Sequence, residues 1–320
     1  MFLTECKPSS CPNRSIASVR YEARIRTADV ETIIQIRNQV RQDYGRIPGA
    51  AAPLAIGEAA SDAPPSPECA DTAAEMVPDP NRPLIIRIGK HLRGAFDRLI
   101  ASSSLVPNDP VLDVRLFPWT QLLRDHWEDI RAEAMQVALR GNASPSLAAI
   151  SPDHRAIARM NMWRSFFLWG YGYRIDDNAA RCPVTSALVK QVPGLNSAFF
   201  SILAPGTHIP AHRGVSKGLI TCHLGLVVPR EGDVRMRIDR RVVRWCEGET
   251  LVFDDTYDHE VWNETAGTRV VLLIQFARPL RNPGKWIADL FLGMVRRSPF
   301  VQEARRNISD WNAAVKQMDV

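Results

Sequence analysis

Between residues 197 and 277 the chain breaks into a rapid series of short apolar segments: SAFFSILAPG, GLITCHLGLVV, DVRMRID, RRVVRW, ETLVFDD, HEVWNE and TRVVLLIQF. Turn residues separate them, at Pro205-Gly206, from Pro229 to Asp233, and at Glu247-Gly248. Runs of β-branched and aromatic residues of this length, punctuated this closely, specify antiparallel strands rather than helices. Many such strands in succession fold into a sandwich or barrel. WRSFFLWGYGY (163–173) adds another aromatic, strand-like block. A mainly β fold with flanking α-helices is therefore expected.

Around this region the character changes, and four regions are expected. Residues 1–83 form an N-terminal arm, with a short helix over 28–45 and then an Ala/Pro/Ser-rich linker poor in aromatics. Residues 84–110 are an amphipathic helical segment, because LIIRIGKHLRGAFDRLIASS (84–103) repeats apolar residues at helical spacing. The β domain spans 111–281 and opens with a helix over 117–140, which carries Leu122, Leu123, Trp127, Ile130 and Met135 on roughly one stripe. Residues 282–320 are a helical extension packed outside the sheets.

Composition narrows the class further. Hydrophobic content of 45% and charged content of 23% are ordinary for a globular chain. No apolar run is long enough to span a bilayer, and MFLTECKPSSCPNRS has no signal-peptide core, so a cytoplasmic protein is expected. The six cysteines include no CxxC pair and read as free thiols. A net charge of +5 without aromatic-basic alternation gives no argument for nucleic acid.

The chemistry concentrates in HIPAHRGVSKGLITCHLGL (208–226), which holds three of the seven histidines. His208 and His212 are four apart, but Pro210 lies between them. Ile209 also stands where a helical zinc protease needs glutamate, so that zinc motif is absent. On a strand His223 shares its face with Leu219, Thr221 and Gly225. A lone histidine there is commonly a satisfied core residue, although its small neighbours leave room for a ligand. Farther on, His259 follows an acid-rich turn in FDDTYDHEVW. Arg269 stands ten residues later, in phase with Val271, Leu273 and Gln275. An arginine entering an apolar strand is costly unless an anion meets it. That anion is either Asp254, Asp255 or Asp258, or the carboxylate of a ligand.

The order His, long gap, His, then Arg about ten residues on, over a β scaffold, resembles the layout of iron(II)/2-oxoglutarate oxygenases. Most of these place an acid two residues after the first histidine, and Gly214 stands there instead. In that respect residues 163–279 resemble the aspartyl/asparaginyl β-hydroxylase family, whose members replace the third protein ligand with water. The resemblance is carried by SILAPGTHIPAHRG (201–214), HLGLVVP (223–229), FDDTYDHEVW (253–262) and TRVVLLI (268–274).

The resemblance implies a double-stranded β-helix (jelly-roll, cupin-like) core. It implies His212 and His259 as ligands of Fe(2+), and Arg269 with Ser201 at the distal carboxylate of 2-oxoglutarate. His223 falls at the other carboxylate, and Asp255 becomes a catalytic-site acid hydrogen-bonded to iron-bound water. His208 falls outside the metal set. The implied reaction consumes O2 and 2-oxoglutarate and hydroxylates an unactivated C–H bond. Its substrate is a lipid acyl chain or small molecule, or an Asp/Asn residue of a peptide or protein. Members commonly carry a basic residue two positions before the HLGL histidine, where Thr221 stands. WRSFFLWGYGY is more similar to the bacterial lipid-hydroxylase branch. The 84–103 stretch and WIADLFLGMV (286–295) suit peripheral membrane contact as well as ordinary packing. Two readings compete: a non-catalytic cupin-like ligand-binding protein with a vestigial site, and a two-histidine zinc hydrolase, which needs a further ligand and a general base.

Overall fold

The computed structural model describes residues 94–139, 144–151, 157–158 and 162–318. The helix expected over 28–45, the linker after it and residues 84–93 lie outside these. The rest of the 84–103 stretch is helical over 94–102 (α1).

The strands are β1 (Val111–Leu112), β2 (Trp163–Gly170), β3 (Tyr173–Arg174), β4 (Leu195–Leu203), β5 (Thr207–His212), β6 (Leu219–Val227), β7 (Asp233–Ile238), β8 (Arg241–Val243), β9 (Thr250–Phe253), β10 (His259–Glu264) and β11 (Arg269–Ala277). They pair antiparallel into a seven-stranded sheet, ordered β1-β9-β6-β11-β4-β2-β3, and a four-stranded sheet, ordered β5-β10-β7-β8. From β4 onward the chain passes back and forth between the two sheets. That alternation is the winding of a double-stranded β-helix.

The large sheet is covered on both faces, so β6 is buried almost throughout. Ile220, Cys222, Leu224 and Leu226 join one apolar cluster with Leu123, Ile130, Val137 and Leu188 of the covering helices. The opposite face packs on the small sheet through Phe167, Phe199, Leu203, Ile209, Met236, Ile238, Val261 and Val271. The small sheet's outer face is wet. Arg235 pairs with Asp233 and Glu264, and Arg237 with Asp258 and Glu260.

Helical sequence over 117–140 resolves into two helices, α2 (Thr120–Asp125) and α3 (Trp127–Leu139). His126 breaks them apart, with φ −117° and ψ 18°. The break lets Arg124 reach Thr250 of β9 at 2.6 Å while α3 packs on β6. A single turn, α4 (Leu147–Ile150), and two short helices, α5 (Asp176–Arg181) and α6 (Pro183–Val189), complete that side. The C-terminal part forms α7 (Gly284–Arg297) and α8 (Pro299–Met318). Ile308 of α8 joins the apolar cluster of Leu147, and Asn307 donates to the Ile150 carbonyl. Among the described residues no helix is long and apolar enough to cross a membrane.

Candidate active site

His212 and His259 stand opposite each other on paired strands β5 and β10. The next registered pair is Ile209 with Val261, so β5 carries one extra residue at Pro210–Ala211. Such a bulge re-aims the side chain beside it, and an edge strand is where proline fits. The two imidazoles come together with ring centroids 4.1 Å apart. His212 Nδ1 donates to the Pro210 carbonyl at 2.8 Å, and His259 Nδ1 to the Tyr257 carbonyl at 3.0 Å. A carbonyl only accepts, so each ring carries its proton on Nδ1 and presents the Nε2 lone pair. Burial, and then the neighbouring His259, push His212 down to about 4. Burial likewise lowers His259. Both rings are therefore neutral at physiological pH, as metal ligation requires.

Arg269 enters between the sheets from the first position of β11 and is 1% exposed. None of the three candidate aspartates reaches it. Asp254 pairs with Lys217 and Arg278, and Asp258 with Arg237, while Asp255 accepts from Thr221 and Gln275. Arg269 Nε has no partner, and Nη1 makes only a 3.5 Å approach to Ser201 Oγ. Burial alone pushes its guanidinium down to about 9. Trp163 Nε1 donates to Ser201 Oγ at 3.0 Å, which leaves that hydroxyl's own proton free to donate.

A file of rings connects this cation to the histidine pair. The guanidinium lies 4.8 Å from the ring centre of Trp245, and Trp245 Nε1 donates to His223 Nδ1 at 3.2 Å. His223 meets Phe253 edge-on at 4.9 Å, and Phe253 meets His259 at 5.9 Å. Accepting at Nδ1 makes neutral His223 a donor at Nε2, and that atom is buried without a partner. Burial, followed by Arg269, holds His223 well below its ordinary range. Trp245 is held in place by a close crossing of backbone. A Cβ at Gly225 would overlap the Cys246 carbonyl, and Gly248 N donates to the Gly225 carbonyl at 2.9 Å.

Asp255 lies in the loop that carries the chain from β9 to β10. Its Oδ2 accepts from Thr221 Oγ1 at 3.0 Å and from Gln275 Nε2 at 3.1 Å, while Oδ1 is buried without a partner. Burial raises its carboxyl to about 6. Gly214 N donates to the Asp255 carbonyl at 2.7 Å, and any Cβ at 214 would overlap Asp255 Oδ1. The glycine therefore makes room for a carboxylate arriving from another loop. Asp254 anchors that loop through Arg278, itself buried, and Lys217.

His208 lies elsewhere. It is half exposed, donates to Glu260 at 2.7 Å and stacks on Trp262 on the wet face. A cleft of about 440 Å3, lined by Asp97, Arg98, Ala101, Arg213, Lys217 and Thr256, opens beside the site. Arg213 and Thr256 directly follow His212 and Asp255. Three buried polar atoms thus face the interior unpaired: Arg269 Nε, His223 Nε2 and Asp255 Oδ1. Two donors and one acceptor, beside two imidazole lone pairs, suit a small dicarboxylate and a metal with bound water. Among the described residues no group of three or more His, Cys, Asp or Glu side chains could hold a metal. Sequence reasoning gave no site role to Trp245 or Trp163, which lie in blocks read as strands.

Comparison with known proteins bears on the family of the chain. Residues 124–279 match the model of the aspartyl/asparaginyl β-hydroxylase family. An ornithine lipid ester-linked acyl 2-hydroxylase of Rhizobium tropici is 36% identical over 81% of this chain and 92% of its own length. The aspartyl/asparaginyl β-hydroxylase of Homo sapiens is 28% identical over 52% of this chain, which spans only 22% of that protein. Aspartate β-hydroxylase domain-containing protein 2 of Xenopus tropicalis is 33% identical over 37% of this chain and 34% of its own. By the extent of the first match and the span of the family model, this chain belongs to the aspartyl/asparaginyl β-hydroxylase family and is an enzyme of hydroxylase type.

Proposed function

We propose that the protein is an iron(II)- and 2-oxoglutarate-dependent hydroxylase acting on a lipid acyl chain. The observation that carries this reading is Arg269, an arginine deep between two sheets with no acid of its own among the described residues. A buried, uncompensated guanidinium is explained by an anionic ligand, and its planar fork matches a carboxylate. His212 and His259 would hold the metal through Nε2. Bound iron(II) supplies the redox chemistry that splits O2 between succinate and a C–H bond, with release of carbon dioxide.

The remaining steps belong to the chain. Arg269 and the Ser201 hydroxyl grip one carboxylate of 2-oxoglutarate, and the Nε2–H of His223 donates to the other. Trp245 and Phe253 line the passage between these anchors and exclude water. Asp255 Oδ1 would accept a hydrogen bond from water in the place a third ligand would fill. Thr221, neutral and committed to Asp255, offers no cation for an acidic substrate side chain. That supports an acyl substrate over an aspartyl one, as does the lipid-acting relative from Rhizobium tropici.

The test is succinate release by purified protein with iron(II), 2-oxoglutarate and an acylated amino-acid lipid, with mass spectrometry of the lipid. The expected result is one added oxygen per succinate, and loss of both in His212→Ala and in His259→Ala. Turnover that survives both substitutions would overturn the metal assignment. Hydroxylation confined to Asp or Asn of a peptide would replace the lipid.

A further inference from the structure

α7 is amphipathic in an unusual sense: one stripe is apolar and faces outward. Trp286, Leu290 and Met294 recur every four residues and are 66%, 66% and 52% exposed. The opposite side of the same helix is satisfied, since Gly284 and Ala288 are buried and Ala288 packs on Gly218. Arg297 is seven residues after Leu290 and three after Met294, so it lies along the same stripe. Arg281, before the helix, and Arg296, in its last turn, are also exposed. Against these stands Asp289, which Lys285 already pairs.

α7 starts where α1 ends. Arg281 N donates to the Ser103 carbonyl at 2.9 Å, and Gly284 N donates to Ser103 Oγ at 3.2 Å. α1 likewise leaves Phe96 and Leu99 exposed, with Arg98 between them. The same α1 supplies Asp97, Arg98 and Ala101 to the cleft beside the catalytic histidines. An outward apolar stripe headed by tryptophan and flanked by arginines has the composition that lies in an anionic lipid interface.

We propose that α7, with the neighbouring face of α1, docks the protein on an anionic bilayer surface, the cleft mouth beside the headgroups. This rests on the acyl-chain reading only for its purpose. Docking would bring a lipid substrate to the site without extracting it into water.

The experiment is flotation of the full chain with vesicles of phosphatidylcholine alone or with phosphatidylglycerol added, read together with succinate release. The chain should float with the anionic vesicles, and less so as salt is raised. Trp286→Ser with Leu290→Ser should lower that partitioning by at least about tenfold while leaving the melting temperature unchanged. Arg281→Glu with Arg297→Glu should lower binding to the anionic vesicles specifically. The proposal is overturned if the parent chain stays off anionic vesicles, or if the double-serine variant binds as well as the parent. It is also overturned if light scattering shows a dimer that the double-serine variant abolishes, since the face then belongs to a second copy. Flotation needs no turnover. Binding without succinate release would sink the hydroxylase reading alone, and succinate release without binding would sink the docking alone.

Discussion

Arg269 brings a charge into the interior that no acid among the described residues answers, so replacing it has two opposite consequences. In metal-free protein, Arg269→Met removes an uncompensated charge while keeping much of the volume. Urea unfolding in chelator is expected to show a gain of about 1–3 kcal/mol. The same variant should lose the rise in melting temperature that 2-oxoglutarate gives the parent chain, because the carboxylate anchor has gone. Destabilisation by Arg269→Met would show that the guanidinium has an anionic partner within the fold. This residue was legible in the sequence because an arginine in phase with Val271 and Leu273 contradicts its surroundings. Ser201 entered only through resemblance, and so did the particular roles of His223 and Asp255, since no local pattern assigns them. Trp245 had no signal at all, as its role depends on a backbone crossing at Gly225 made by residues distant in sequence.

Elements were legible in proportion to the regularity of their surroundings. The strands from β4 to β11, β5 apart, follow alternation or continuous apolar runs, and turn residues bound them. β5 was not read as a strand, because Pro210 conceals an edge strand that bulges there. The helix over 117–140 was placed but not its break, which answers to contacts with two different strands. α5 and α6 are too short for periodicity to register, and α6 depends on a distant acid. Pro183 at its start has no N–H, so Val184 and Thr185 present the first free amides. Both donate to the buried Glu133 of α3 at 2.8 Å, joined by the Thr185 hydroxyl at 2.6 Å. Burial raises the Glu133 carboxyl above its usual range. Glu133→Leu strands three buried donors and is expected to lower stability by about 2–4 kcal/mol, with Glu133→Gln costing less. Equal stability of Glu133→Leu and the parent in urea would refute this.

On the scale of the whole molecule, the site is divided between two layers. His212 and His259 belong to the four-stranded sheet, while Ser201, His223 and Arg269 belong to the seven-stranded one. Asp255, in a connection between the layers, is tied to the large sheet by Thr221 and Gln275. A molecule bound at once to metal and to Arg269 is therefore a rivet through the sandwich. It opposes sliding or parting of the two layers, which without it are held chiefly by side-chain packing. Hydrogen exchange is expected to slow in β5 and β10 and in β4 and β11 together when metal and 2-oxoglutarate are both present. Metal alone should protect only the first pair of strands. Protection confined to one layer with both ligands bound would refute the bridge. In the proposed reaction each turnover would remove the rivet as succinate and carbon dioxide leave, and the catalytic cycle would then also be a cycle of tightening and release between the layers.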